Sequence, residues 1–285
     1  MIRILTFFYW LLLLTSMLSC GQGNVVVETQ SKAFRITRNI TYNGKSVDVV
    51  IDKPEGKRMD VLVVYHGTTA LDIKILEAAN TTLDAFKKIL DRKDMMIVSV
   101  AYPEQGLLMG DNVAHSEAGL LWVKNQLEND LGITINKTFL GGHSQGAYIV
   151  TRLNILHQTN GVIANAPGPL NLVYRCGLEE SGKIESGTVC NLLRNTYGST
   201  NANSDAYYQR SLLNFTSGFK SDILFVQGMQ DTFIQMYSWP RFRQQIERCT
   251  NCQKTEFLEL PNFEHEALFY SQQAKEVFNN FINSR

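Results

Sequence analysis

The chain has 285 residues, 44% hydrophobic and 19% charged, with no net formal charge. This is enough apolar sequence for one sizeable core, and it does not resemble a disordered or low-complexity chain. Lys and Arg are scattered rather than clustered, which argues against binding nucleic acid or an anionic membrane surface through charge.

The first residues stand apart. Met1-Ile2-Arg3 carries one positive charge, Ile4 to Leu18 is apolar, and Ser19-Cys20-Gly21 are small. This order reads as an export signal over residues 1–19. The apolar run falls short of the ~20 residues of a spanning helix, so an uncleaved anchor is the weaker alternative. Leu18-Ser19-Cys20-Gly21 resembles the lipobox of bacterial lipoproteins, with Met17 where that family usually has Leu. The resemblance implies lipidation of Cys20 and a place in the cell envelope. The N-terminal lipid is then the one expected membrane contact. Residues 20–33 form a polar tether, and residues 34–285 form the domain.

Phe34 to Tyr42 and Ser46 to Ile51 alternate or are β-branched, with Asn43-Gly44 between them, and read as an antiparallel hairpin. Asp60 to Tyr65 is a continuous apolar run, as expected of a strand buried on both faces. A helix follows around residues 79–90, a strand over 95–100, and a helix over 116–131 with Ala118, Leu121, Trp122 and Leu127 at helical spacing. Lys137 to Gly141 ends a strand, Ala147 to Leu153 is helical, and Val162 to Ala166 is a strand. From Pro167 to about Lys220 the rhythm breaks. This stretch is rich in Gly, Asn and Ser and carries Tyr174, Tyr197, Tyr207, Tyr208, Phe215 and Phe219. Alternation resumes with a strand at 223–227, a helix near 241–247, a strand at 256–260 and a last helix over 266–282. Strands alternating with helices after a hairpin predict an α/β domain whose mostly parallel sheet is covered on both faces. The irregular stretch, about 168–220, is expected to be a cap inserted after the sixth strand, with some of its aromatic residues lining a substrate pocket.

Cys176, Cys190, Cys249 and Cys252 in an exported chain suggest disulfides, with three possible pairings. Cys176–Cys190 and Cys249–Cys252 are preferred because each closes a short local loop. The C-x-x-C at 249–252 lacks a strand–helix redox context and nearby histidines, so no metal site is expected there.

Gly142-His143-Ser144-Gln145-Gly146 lies between a strand and a helix, the setting of a nucleophile elbow. Glycine at 142 and 146 removes side chains that the tight turn would drive into neighbouring backbone. Ligands of such sheets bind beyond the carboxyl ends of the strands, which sorts the possible partners of Ser144. His157 lies thirteen residues into the elbow helix, ~20 Å away at ~1.5 Å per residue. His143 adjoins the serine but is expected to point elsewhere, and His115 has no evident link. His265 follows the last strand at the correct end. Asp222 enters its strand at the wrong end, ~17 Å off. Asp231 lies beyond that strand's exit, and Glu264 and Glu266 are too close to His265 in sequence to reach round its ring.

Together, Gly142-x-Ser144-x-Gly146, Asp231 after the penultimate strand and His265 after the last resemble the α/β-hydrolase fold, whose triad follows that chain order. Gln227-Gly228-x-x-Asp231-x-x-Ile234 is similar to that family's H-G-x-x-D-x-x-V stretch, with Gln in place of His. Tyr65-His66-Gly67-Thr68 resembles its H-G-x oxyanion turn. The resemblance implies Ser144 as nucleophile, His265 as base, Asp231 as its orienting acid, and the N–H groups of Thr68 and Gln145 as oxyanion donors. It further implies a carboxylic-ester hydrolase, acting as a monomer on a small or polymeric ester and needing no cofactor. A prolyl-oligopeptidase-like peptidase has the same triad order, although that family adds a large propeller. A hydrolase-like binding lipoprotein without activity is the third reading.

Overall fold

The computed structural model describes residues 32–285. The export signal, Cys20 and nearly all of the tether lie outside the described residues. None of the described helices is long and apolar enough to cross a membrane.

Eight strands form one sheet: β1 (Phe34–Tyr42), β2 (Lys45–Lys53), β3 (Arg58–Tyr65), β4 (Met96–Ala101), β5 (Thr134–His143), β6 (Gly161–Asn165), β7 (Ile223–Gly228) and β8 (Thr255–Leu260), in spatial order β1-β2-β4-β3-β5-β6-β7-β8. β1 and β2 pair antiparallel, as do β2 and β4, and every other neighbouring pair is parallel. The hairpin is explained by its turn. Asn43 and Gly44 have φ of 49° and 72°, and a two-residue turn with both φ positive matches strand twist and favours Asn-Gly.

Buried residues show that the sheet is covered on both sides. On β3, Val61, Val63 and Tyr65 join one apolar cluster while Leu62 and Val64 join the other. One face carries α1 (Ile75–Ile89), packed through Leu83 and Phe86, and α10 (Gln272–Asn283), packed through Phe278 and Phe281. The other carries α2 (Val113–Asn125), α4 (Gln145–Leu156) and α8 (Phe233–Glu247), through Trp122, Tyr148 and Trp239 among others. Fully burying an aliphatic or aromatic side chain contributes ~1.5–3 kcal/mol, so the two layers hold the strand ends in a fixed frame.

Several sequence expectations need correcting. The helix expected over 116–131 is two, because α2 ends at Asn125 and α3 (Leu127–Leu131) starts after Gln126, whose φ of −128° is not helical. The last helix is interrupted at Ser271, giving α9 (Ala267–Tyr270) before α10. There the Ser271 side chain accepts the Ala274 N–H as an N-cap. The helix expected near 241 begins at Phe233 and runs through Pro240. Pro240 is exposed, so its ring lies on the outer side of the helix, and the helix continues although the Met236 carbonyl loses its usual N–H partner.

Between β6 and β7 the chain forms α5 (Leu172–Glu180), α6 (Thr188–Tyr197) and α7 (Ser204–Tyr208). The disulfide Cys176–Cys190 joins α5 to α6, and Cys249–Cys252 closes the turn after α8. Both preferred pairings are therefore present, as an oxidising compartment allows.

Candidate active site

β5 ends at His143 and α4 begins at Gln145, so Ser144 alone makes the turn, with φ 56° and ψ −117°. A non-glycine residue rarely adopts that conformation, and it is retained where surrounding structure enforces it. The enforcement here is backbone against backbone. A Cβ on Gly142 would lie 2.2 Å from the Gly146 carbonyl oxygen, and one on Gly146 would lie 1.9 Å from that of Tyr65. The Ser144 N–H donates to the Asn165 carbonyl at 2.9 Å, fixing the turn to β6.

Asp231 and His265 arrive from the loops after β7 and β8. The His265 Nδ1–H donates to Asp231 Oδ2 at 2.8 Å. The same oxygen accepts from Gln227 Nε2 at 3.0 Å, and Oδ1 accepts the Thr232 N–H at 2.7 Å. Burial opposes the charge on Asp231, but the bonds from His265, Gln227 and Thr232 outweigh it and hold its carboxyl below the ordinary carboxylate range. The two loops touch closely: a Cβ on Gly228 would lie 2.0 Å from the Glu264 carbonyl oxygen. With Nδ1 committed to Asp231, Nε2 of His265 is left as the basic nitrogen, on a side chain that is 41% exposed.

His143 contradicts its expected direction. Its ring lies 4.9 Å from the His265 ring and 5.5 Å from that of Phe269. Its Nδ1 accepts from Asn165 Nδ2 at 2.8 Å, while Asn165 Oδ1 accepts the Leu268 N–H. Asn165 thus ties the elbow to the segment following His265. Burial first, and the neighbouring His265 second, lower the His143 pKa to about 3. The remaining histidines stand apart from this cluster: His157 bonds Glu117 between helices, and His115 lies in α2. Asp222 pairs with Arg285 at the far end of the sheet.

On the β3 side, the chain after His66 passes against the elbow. A Cβ on Gly67 would contact Ser144 Cβ at 3.4 Å, and Thr68 Oγ1 donates to Gln145 Oε1 at 2.6 Å. The first N–H groups of a helix have no intrahelical acceptor, which leaves Gln145 N–H available at this corner. His66 is buried, with its ring stacked on Tyr102 at 4.1 Å, and burial lowers its pKa to about 4. Sequence reasoning missed Gln227, Asn165 and His143 as supports. The available signal was polar residues closing the otherwise apolar strands β6 and β7.

The sign of the acid response follows from the two buried histidines. Unfolded histidine binds a proton near pH 6.5, whereas His66 and His143 resist it until about 4 and about 3. Stability therefore falls as pH drops from ~6.5 toward ~4, by roughly 3 kcal/mol for each histidine at pH 4. Urea midpoints at pH 7 and pH 4.5 measure this, and equal midpoints would contradict it.

The aromatic residues between β6 and β7 mostly pack within that segment or against the α4 and β7 surface beneath it. Tyr207 and Phe219 are buried, Tyr197 bonds Arg210, and Phe215 stacks on Arg152. Tyr174 differs, because it stacks at 3.8 Å on Tyr237 of the helix that follows Asp231. A cleft of ≈ 380 Å³ lies in this segment beside Tyr174 and Thr200, and no member of the proposed triad lines it.

No family model and no curated protein sequence matches the chain. Solved structures do resemble it. A Pyrococcus furiosus esterase superposes with a TM-score of 0.62 at 14% identity, over 93% of this chain and 96% of that one. A Pyrobaculum calidifontis esterase gives 0.63 at 14%, over 91% and 87%. An acylaminoacyl peptidase from Pyrococcus horikoshii gives 0.61 at 11%, over 88% of this chain and 42% of that one. This chain thus spans about two fifths of the peptidase's length. The strand order, the antiparallel N-terminal pair and these superpositions agree: the chain has the α/β-hydrolase fold.

Proposed function

We propose that the protein is a serine hydrolase of carboxylic esters. Ser144 Oγ attacks the acyl carbon while His265 Nε2 takes its proton. Charge that develops on the carbonyl oxygen meets the N–H groups of Gln145 and Thr68 and the positive end of α4. Collapse breaks the ester bond, and the alcohol leaves with the proton from His265. Water, deprotonated by the same nitrogen, then releases the acid and restores Ser144. The observation that carries this reading is the Asp231–His265 bond, which fixes the tautomer and leaves Nε2 as the basic nitrogen of a ring 4.9 Å from that of His143 in the strained elbow.

Exposed apolar side chains in the segments that follow the site's strands support an apolar acyl group. Among the described residues, the exposed large hydrophobics are Leu71, Ile73, Leu76, Leu156, Phe233, Tyr237 and Tyr270. All except Leu156 follow β3, β7 or β8, the strands whose exits carry Thr68, Asp231 and His265. A panel of p-nitrophenyl esters of increasing acyl length tests this beside aminoacyl anilides. We expect kcat/KM to rise with each methylene by up to about fourfold, the equivalent of ~0.8 kcal/mol per buried CH₂. Faster anilide than ester turnover would instead select the peptidase reading.

Two disulfides favour an oxidising compartment, and we place the domain outside the cytoplasm on a lipid carried by Cys20. Cys20→Ala is expected to move the protein from the membrane fraction to the soluble fraction. An unchanged distribution would overturn the anchor.

A further inference from the structure

One buried carboxylate has no part in the chemistry above. Glu104, in the loop after β4, has a side chain only 5% exposed. Its Oε2 accepts the Thr69 N–H at 2.9 Å and the Ala70 N–H at 3.2 Å. The opposite loop answers: Asp72 Oδ1 accepts the Glu104 N–H at 2.8 Å and the Gln105 N–H at 2.9 Å. The loops after β3 and β4 are therefore laced together from both sides.

The other oxygen, Oε1, is buried without a hydrogen-bond partner among the described residues. It lies 3.8 Å from His66 Nδ1, but that nitrogen is bonded to the Gly67 carbonyl oxygen, and the buried ring is neutral near pH 7, so no ion pair forms. A buried carboxylate with an unpaired oxygen costs stability, and burial accordingly raises the Glu104 pKa. Fold stability alone gives no reason for a charge here. The bonds it makes do. Ala70 has φ 62°, a conformation costly for a residue with a side chain, and two successive N–H groups turned toward one oxygen form an anion-holding concavity.

We infer that Glu104 is a positioning residue that holds the Thr68 N–H in place as an oxyanion donor. Thr68 is gripped on both sides. On the elbow side, Thr68 Oγ1 donates to Gln145 Oε1, and the His66 carbonyl accepts from the Tyr102 hydroxyl at 2.5 Å. After it, Thr69 and Ala70 are fixed by Glu104. Without the carboxylate, Thr69 and Ala70 lose their acceptor and the segment keeps only the Asp72 half of the lace, so the Thr68 N–H is less firmly aimed. This inference rests on the esterase reading proposed above.

The test compares ester hydrolysis and fluorophosphonate labelling of the full chain with those of Glu104→Ala, Glu104→Gln, Asp72→Ala and Ser144→Ala. Glu104→Ala is expected to lower kcat about 10- to 100-fold with KM changed less than about threefold, and to slow labelling in parallel. Glu104→Gln keeps a carbonyl oxygen for the two N–H groups and should recover most of the loss. Asp72→Ala, on the more accessible half of the lace, should lower kcat by about 3- to 10-fold, and it decides the matter if Glu104→Ala does not fold. Glu104→Ala with wild-type kcat, a loss confined to KM, or no recovery by Glu104→Gln overturns the inference, as does wild-type kcat in Asp72→Ala should Glu104→Ala not fold. A wild-type protein that neither labels nor turns over ester overturns the esterase reading instead.

Discussion

Replacing Asp231 by Asn is expected to lower kcat for a small ester by about 10⁴-fold, and Ser144→Ala by about 10⁶-fold, with the fold retained in both. The reason lies in which atoms meet at position 231. The carboxylate accepts three hydrogen bonds, from His265, Gln227 and the Thr232 N–H, and donates none. An amide that keeps its oxygen toward Thr232 turns its NH₂ toward both Gln227 and His265. Gln227 can adapt by flipping, at the cost of the bond its Nε2 donates to the Gly228 carbonyl oxygen. His265 can adapt only by moving its proton to Nε2, and that nitrogen then cannot take a proton from Ser144. Kinetics and fluorophosphonate labelling measure the effect. An Asp231→Asn enzyme within tenfold of wild type, or equal labelling of Ser144→Ala, would remove the triad from the mechanism.

Among the glycines of the described residues, Gly146 should be the one where an added methyl group, Gly146→Ala, does most damage. The new Cβ meets the carbonyl oxygen of Tyr65 at 1.9 Å and its carbon at 2.5 Å. Neither side can yield: Tyr65 ends β3 between β4 and β5, and Gly146 opens α4 against the same sheet. Losses above ~4 kcal/mol arise from this kind of irreducible clash, and the variant is expected to be largely unfolded. Gly44→Ala is the control. Its Cβ meets nothing within 4 Å, and only the positive φ of 72° opposes it, which costs ~1 kcal/mol. Urea midpoints compare the two, and similar midpoints would refute the argument.

Those two predictions concern features that the sequence made legible for a physical reason. Ser144, Asp231 and His265 are set by where strands end, and strand ends show as apolar runs giving way to polar loops. The disulfide partners are legible because short loops leave little choice. Helix breaks were not legible. Apolar spacing runs across Gln126 and Ser271 without a Gly or Pro to mark them, although Ser271 carried an N-cap signal. Pro240 misled in the opposite direction, since an exposed proline interrupts a helix less than its reputation suggests. The direction of the His143 side chain depends on the sheet face onto which α9 folds. Glu104 is a lone acid in a loop, and its partners Thr69, Ala70 and Asp72 come from another loop far earlier in the chain. The aromatic residues of the β6–β7 segment have a composition that fits either a pocket wall or a small core, and packing decides for the core at most positions.

The order of the parts along the chain has a consequence for synthesis and transport. Thr68 and Ser144 belong to the first strands to emerge, but Asp231 and His265 follow β7 and β8, which close the far edge of the sheet. A growing chain carries the proposed nucleophile long before it carries the proposed base. No fragment that ends before residue 265 holds the complete proposed triad, and β8 must pair with β7 before the histidine is placed. In the exported hydrolase proposed above, reactivity would arise from completion and folding, and an unfolded chain in transit would carry an ordinary, inert serine.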